Sequence, residues 1–127
     1  MALNAAKARM ANNPGGMKAT PMADGSFEAL ALPVAVRKNM GIIAMKVFGQ
    51  DQIVKAAPIE KLLSYALSLP VSLASVGMPR LEFLDRNVAI VRAFQPMSDV
   101  ERKQLTDSIA DEHRLSLANF FRHHRDI

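Results

Sequence analysis

Gly41-Ile42-Ile43-Ala44-Met45-Lys46-Val47-Phe48-Gly49 is a short, nearly continuous apolar run that ends at a glycine. Its single charge, Lys46, stands towards the C-terminal end. Such a run predicts a strand buried on both faces, as in a parallel sheet. Val71-Ser72-Leu73-Ala74-Ser75-Val76 repeats the pattern and again ends in glycine, Gly77. Between the two runs, Pro58 suits the first position of a helix, where its missing N–H costs nothing. Ile59, Leu62, Leu63, Ala66 and Leu67 then form one apolar face, and Pro70 ends it.

The pattern extends outward on both sides. Upstream, Ser26 is a good N-cap, and Phe27, Leu30 and Val34 recur at helical spacing. Pro33 should kink that helix, and Gly41 should stop it. Met1 to Ala6 is a short apolar remnant broken by Asn4. Downstream, Leu81, Leu84, Val88 and Val91 predict a helix with its apolar side along those positions. Ser98 and Glu101 form a capping box before another, and residues 115–121 read as a last short one. Strands alternating with helices imply βαβ units, parallel pairing and glycine-terminated tips that open on the same side. Residues 11–25, rich in Asn, Pro, Gly and Ala, read as a flexible loop.

The chain has 127 residues, half of them hydrophobic and 22% charged, enough for a real core and against disorder over most of its length. There is no cysteine, which excludes disulfides, zinc thiolate sites and thiol catalysis. The net charge of +4 favours anions, yet the basic residues are scattered and there is one tyrosine and no tryptophan. No stacking platform accompanies the charge, so nucleic acid is not the expected partner. No secretory pattern follows Met1 and no apolar run is long enough to cross a bilayer, so a cytoplasmic protein without membrane contact is expected.

Familiar catalytic patterns are missing. There is no GxGxxG, GxSxG or P-loop. His113, His123 and His124 do not reproduce a zinc spacing, and Asp107, Asp111 and Glu112 read as solvated helix charges. Tyr65 falls inside a helix pattern, which favours core packing or a helix surface over chemistry.

Residues 41–49 resemble the seventh-strand motif of bacterial aldo/keto reductases, and Val76-Gly77-Met78-Pro79-Arg80-Leu81-Glu82-Phe83-Leu84-Asp85-Arg86-Asn87 resembles their eighth strand and following helix. Met1-Ala2-Leu3-Asn4-Ala5 is similar to the sixth strand, and Ser26-Phe27-Glu28 with Leu32-Pro33 to the sixth helix, so the resemblance covers nearly the whole chain. It implies an α/β fold: residues 1–127 as the C-terminal part of a (β/α)₈ TIM barrel, with parallel strands and extra C-terminal helices. It also implies NADP(H)-dependent carbonyl reduction, with the cofactor across the C-terminal face of the barrel. Barrels often build phosphate sites there, from the loops after strands seven and eight.

By the same resemblance, Met45, Lys46, Val47 and Phe48 hold the places that meet the nicotinamide and pyrophosphate. Gly77 and Met78 hold those that grip the adenosine phosphate, and Asn87 matches the asparagine that faces adenine. Arg80 stands in the turn, where it can fork onto a ribose phosphate. Arg86 stands where the family often has glutamate, and Phe83 where some members have arginine or glutamine, which leaves the phosphate preference open. The family's Asp, Tyr, Lys and His tetrad lies in the first half of the barrel, and nothing in this chain matches it. The expectation is therefore a part of the reductase that holds some of the cofactor site, is inactive alone, and meets a carbonyl substrate only in the full barrel. Its exposed strand edges favour self-association. The alternative is a binding or regulatory module that keeps the fold without the chemistry.

Overall fold

The computed structural model describes residues 1–9 and 26–121. The loop expected over 11–25 and the basic end with His123 and His124 lie outside the described residues. Ser26 caps the first helical stretch as expected, its Oγ accepting from the Ala29 N–H at 3.1 Å. The residues after it form a π-helical turn, Phe27–Ala31, that passes into helix α1, Leu32–Arg37. Pro33 lies in the first turn of α1, so it does not kink one long helix. The chain changes helix type where proline has no N–H to give.

Helix α1 does not stop at Gly41. Asn39 takes the left-handed conformation (φ 51°), its N–H bonds Val36 O at 3.0 Å, and the Met40 N–H bonds Ala35 O at 3.0 Å. This is a Schellman closure, with asparagine in the place glycine usually fills.

Strand β1 (Ile43–Ala44) follows, then helix α2 (Ile59–Leu67), strand β2 (Leu73–Ala74) and helix α3 (Leu81–Arg92). The strands pair in parallel, with Ile43 opposite Leu73 and Ala44 opposite Ala74. The N-terminal remnant joins the other edge of β1, also in parallel, through an Ala2–Met45 bridge. Its ladder runs Met1 N to Ile43 O (2.8 Å), Met45 N to Met1 O (2.8 Å) and Leu3 N to Met45 O (3.2 Å). Three successive βα units thus lie side by side in chain order.

One face of this sheet is covered. Ile42 and Ala44 are buried with Leu32 and Ala35 of α1 and Leu62, Leu63 and Ala66 of α2. The other face is bare: Ile43, Leu73 and Met45 are 50%, 54% and 43% exposed. The expectation of strands buried on both faces is corrected here, because among the described residues helices pack against only one. Each bare side chain forgoes about 1 kcal/mol that full burial would supply.

Helix α3 is also rotated from the expected face. Leu81, Leu84, Val88 and Val91 are exposed, whereas Asn87 is buried and Phe83, Arg86 and Ile90 are half-buried. Tyr65 is core: it is 2% exposed, and its hydroxyl reaches both carboxylate oxygens of Glu28 at 2.8 and 2.9 Å. Burial raises the pKa of the Glu28 carboxyl, and burial beside that carboxylate raises that of the Tyr65 phenol.

Helices α4 (Asp99–Ser108) and α5 (Asp111–Phe121) complete the described chain. The Ser98–Glu101 capping box forms as expected, and α5 begins four residues before the position its apolar pattern indicates. Arg114, almost fully buried, donates to Ala6 O at 2.6 Å and to Thr106 O, so it ties α5 to the N-terminal segment and to the end of α4. Among the described residues, no helix is long and apolar enough to cross a membrane.

Candidate functional site

Parallel strands entering from one side put their C-terminal tips together, and loops leaving those tips form a natural crevice. Here the chain leaves β1 through an unusual bend. Lys46, Gly49, Gln50 and Asp51 all take left-handed backbone conformations, with φ of 58°, 57°, 50° and 66°. Three of the four are not glycine, and each such residue costs about 1–3 kcal/mol unless its surroundings enforce it.

The enforcement is visible. Val47 and Phe48 are buried, and Ile53 is fully buried below them. The Gly49 N–H bonds Lys46 O at 2.8 Å, and the Gln52 N–H bonds Gly49 O at 3.3 Å. Helix α5 props the bend from beneath: a side chain on Gly49 would stand 2.7 Å from Leu117 Cδ1. Leu117 is itself fully buried, so position 49 favours glycine on both conformational and steric grounds.

Between this bend and the chain leaving β2 lies an open cleft of about 400 Å³. Met45, Lys46, Val47, Phe48, Gln50 and Asp51 line one side; Ser75, Val76, Gly77 and Pro79 line the other. The two glycine-ended tips therefore open on the same side. Five of the nine residues singled out from the sequence meet at this cleft: Met45, Lys46, Val47, Phe48 and Gly77. Met78, Arg80, Arg86 and Asn87 are not among its lining; the first two stand in the turn after Gly77 and the others along α3.

Gly77 differs from Gly49. Its φ is not left-handed and a side chain there would meet nothing within 4 Å. Nothing among the described residues requires glycine at 77, and its bareness leaves the backbone open to close approach. Arg80 is the N-cap residue of α3, and its guanidinium lies 4.5 Å from the centre of the Phe83 ring. Arg86 lies 5.1 Å from the same ring, and its Nε is buried without a hydrogen-bond partner. Asn87 is 5% exposed and neither end of its amide has a partner among the described residues. A buried amide left unpaired costs about 1–3 kcal/mol, so Asn87 is a group that calls for a partner beyond the described residues.

Electrostatically the cleft is close to balanced, because Lys46 and Asp51 both line it. An anion there would draw on backbone N–H groups of the loops and on Arg80 at the start of α3, where the helix dipole also favours negative charge. Among the described residues that line it, none forms an acid–base pair or a nucleophile with an adjacent base. Among the described residues, no group of three or more His, Asp or Glu side chains is placed to hold a metal. Sequence reasoning missed Gln50, Asp51, Ser75, Val76 and Pro79 as lining. The last three follow from their place beside Gly77, whereas Gln50 and Asp51 are carried in by the left-handed bend, which no motif announces.

Compared with family models, curated proteins and solved structures, the chain returns no significant match.

Proposed function

We propose that this chain is the C-terminal part of a singly wound (β/α)₈ barrel of the aldo/keto reductase type, and that the tip cleft holds the phosphate and adenosine portion of NADP(H). The observation that carries the reading is the combination of an open cleft at two parallel tips with an unpaired, buried Asn87 amide on the helix that follows. The sheet supports it independently. Parallel strands added in chain order, with helices on one face only, fit a singly wound barrel, whereas a doubly wound sheet carries helices on both faces. The apolar side chains of Ile43, Met45 and Leu73 then face the barrel interior, to be covered by the remaining strands.

In this reading the cofactor supplies the hydride that reduces a carbonyl. The residues of this chain bind and orient it. Lys46 meets a phosphate at the end of β1. Gly77 lets the backbone approach the diphosphate, and Arg80 forks onto the ribose phosphate. Asn87 pairs the edge of the base, where its two donors and two acceptors match an adenine. The carbonyl substrate and the proton donor belong to the complete barrel.

Isothermal calorimetry with NADPH tests the reading. Because much of the groove wall is contributed elsewhere, the chain alone should bind weakly, with Kd of order 1 mM. Lys46→Ala and Asn87→Ala should each weaken binding by about fivefold to tenfold. No saturable heat at millimolar NADPH, or equal affinity in all three proteins, contradicts it.

A further inference from the structure

We infer that Asn4 is the positioning residue of the tip cleft, the group that holds Lys46 in the left-handed conformation that shapes it; this rests on the reading above that the cleft takes a dinucleotide. Asn4 is 0% exposed although its side chain is wholly polar. Both ends of its amide are bonded to backbone: Nδ2 donates to Lys46 O at 2.8 Å, and Oδ1 accepts the Lys7 N–H at 2.9 Å. Residue 4 stands 42 positions from residue 46 in the chain, so the contact joins the end of one parallel strand to the exit of the next.

The geometry at Lys46 explains why a side chain is needed there. The regular ladder between the N-terminal segment and β1 ends with Leu3 bonded to Met45. One residue further on, Lys46 turns to φ 58° and leaves the sheet. Its carbonyl then receives two donors, Asn4 Nδ2 and the Gly49 N–H, each at 2.8 Å. The Gly49 bond is local and closes the turn. The Asn4 bond is the long-range one, and it fixes where the turn sits relative to the sheet. A side-chain amide has the reach and the donor to continue the ladder past the point where backbone geometry stops.

Asn4→Ala is a clean probe, because each backbone group that loses a bond keeps another. Lys46 O retains the Gly49 N–H, and the Lys7 N–H retains the carbonyl of residue 4 at 3.0 Å. Two readouts are compared in wild type and variant: amide hydrogen exchange at Gly49 against Ser68, whose N–H closes α2 far from the cleft, and NADPH affinity. The expected result is exchange about tenfold faster at Gly49 than any change at Ser68, because a local opening replaces a pinned turn. NADPH binding should fall about fivefold.

Equal changes at Gly49 and Ser68 would mean general loosening and would overturn the inference, as would unchanged exchange at Gly49. Should wild type fail to bind NADPH, the proposed function falls, while the exchange comparison still decides the role of Asn4. Should Asn4→Ala fail to fold, Lys46→Gly is added to it, since glycine adopts φ 58° unaided. Recovery of the fold then supports action through the Lys46 turn, and continued unfolding overturns it.

Discussion

The two faces of the sheet are built from the same kinds of residue and have opposite fates. Ile42 and Ala44 point into a core closed by α1 and α2, whereas Ile43, Met45 and Leu73, one residue out of phase, face outward and stay about half exposed. The difference shows that strand apolarity records what a face is made to touch, and the surrounding chain decides whether it touches it. A parallel sheet is stable with both faces covered. The bare face is therefore the side on which no described helix packs, and the covered face carries the stability that burial supplies.

The sharpest way to break that comparison is to cut one leucine from each side. Leu62→Ala, in the covered core, should cost about 2–5 kcal/mol in urea denaturation. Leu73→Ala, on the bare face, should cost less than about 1 kcal/mol, because little burial is lost. Similar costs at both sites would show that the bare face is not bare in solution. Gly49→Ala follows in size, at about 2–3 kcal/mol, from the left-handed backbone and the contact with Leu117. An unchanged denaturation midpoint would mean that α5 does not prop the bend.

A pH series probes the covered side through Glu28. Burial raises its folded pKa above the ordinary 4.5. The folded state thus holds the proton more tightly than the unfolded one, and the stability this gives is complete below pH 4.5. It is lost as pH rises through the folded value. Glu28→Gln keeps a hydrogen-bond partner for Tyr65 and removes the charge. Its stability relative to wild type should be flat in acid and improve towards neutral pH, and parallel pH profiles would contradict this. The smallest expected effect is at the cleft: Asp51→Asn should tighten NADPH binding about twofold to fivefold by removing a like charge, and the gain should shrink with added salt.

Much of the covered side is legible in the residues themselves. The apolar spacing of Ile59, Leu62, Leu63 and Ala66 gives α2, Ser26 and Ser98 mark their helix starts, and the two glycine-ended runs give the parallel pair. Local chemistry suffices in each case. The rest depends on what lies far along the chain. The stripe Leu81, Leu84, Val88 and Val91 has helical spacing, yet α3 buries Asn87 instead, with its side towards α2 set by tertiary packing that spacing alone does not reveal. Asn39 takes the stop expected at Gly41, since asparagine also tolerates the left-handed region. The grouping of Met45, Lys46, Val47, Phe48 and Gly77 was legible from the tips. Asn4 was not, because an asparagine in an apolar remnant gains its meaning only from the carbonyl it reaches.

An amide NMR titration of the chain with NADPH decides whether the tips bind the cofactor. Saturable shifts are expected, confined to residues 46–51 and 75–80 and to Asn87, with α4 unmoved. Shifts that fail to saturate at several millimolar, or that scatter over the bare face of the sheet instead of the tips, would contradict it.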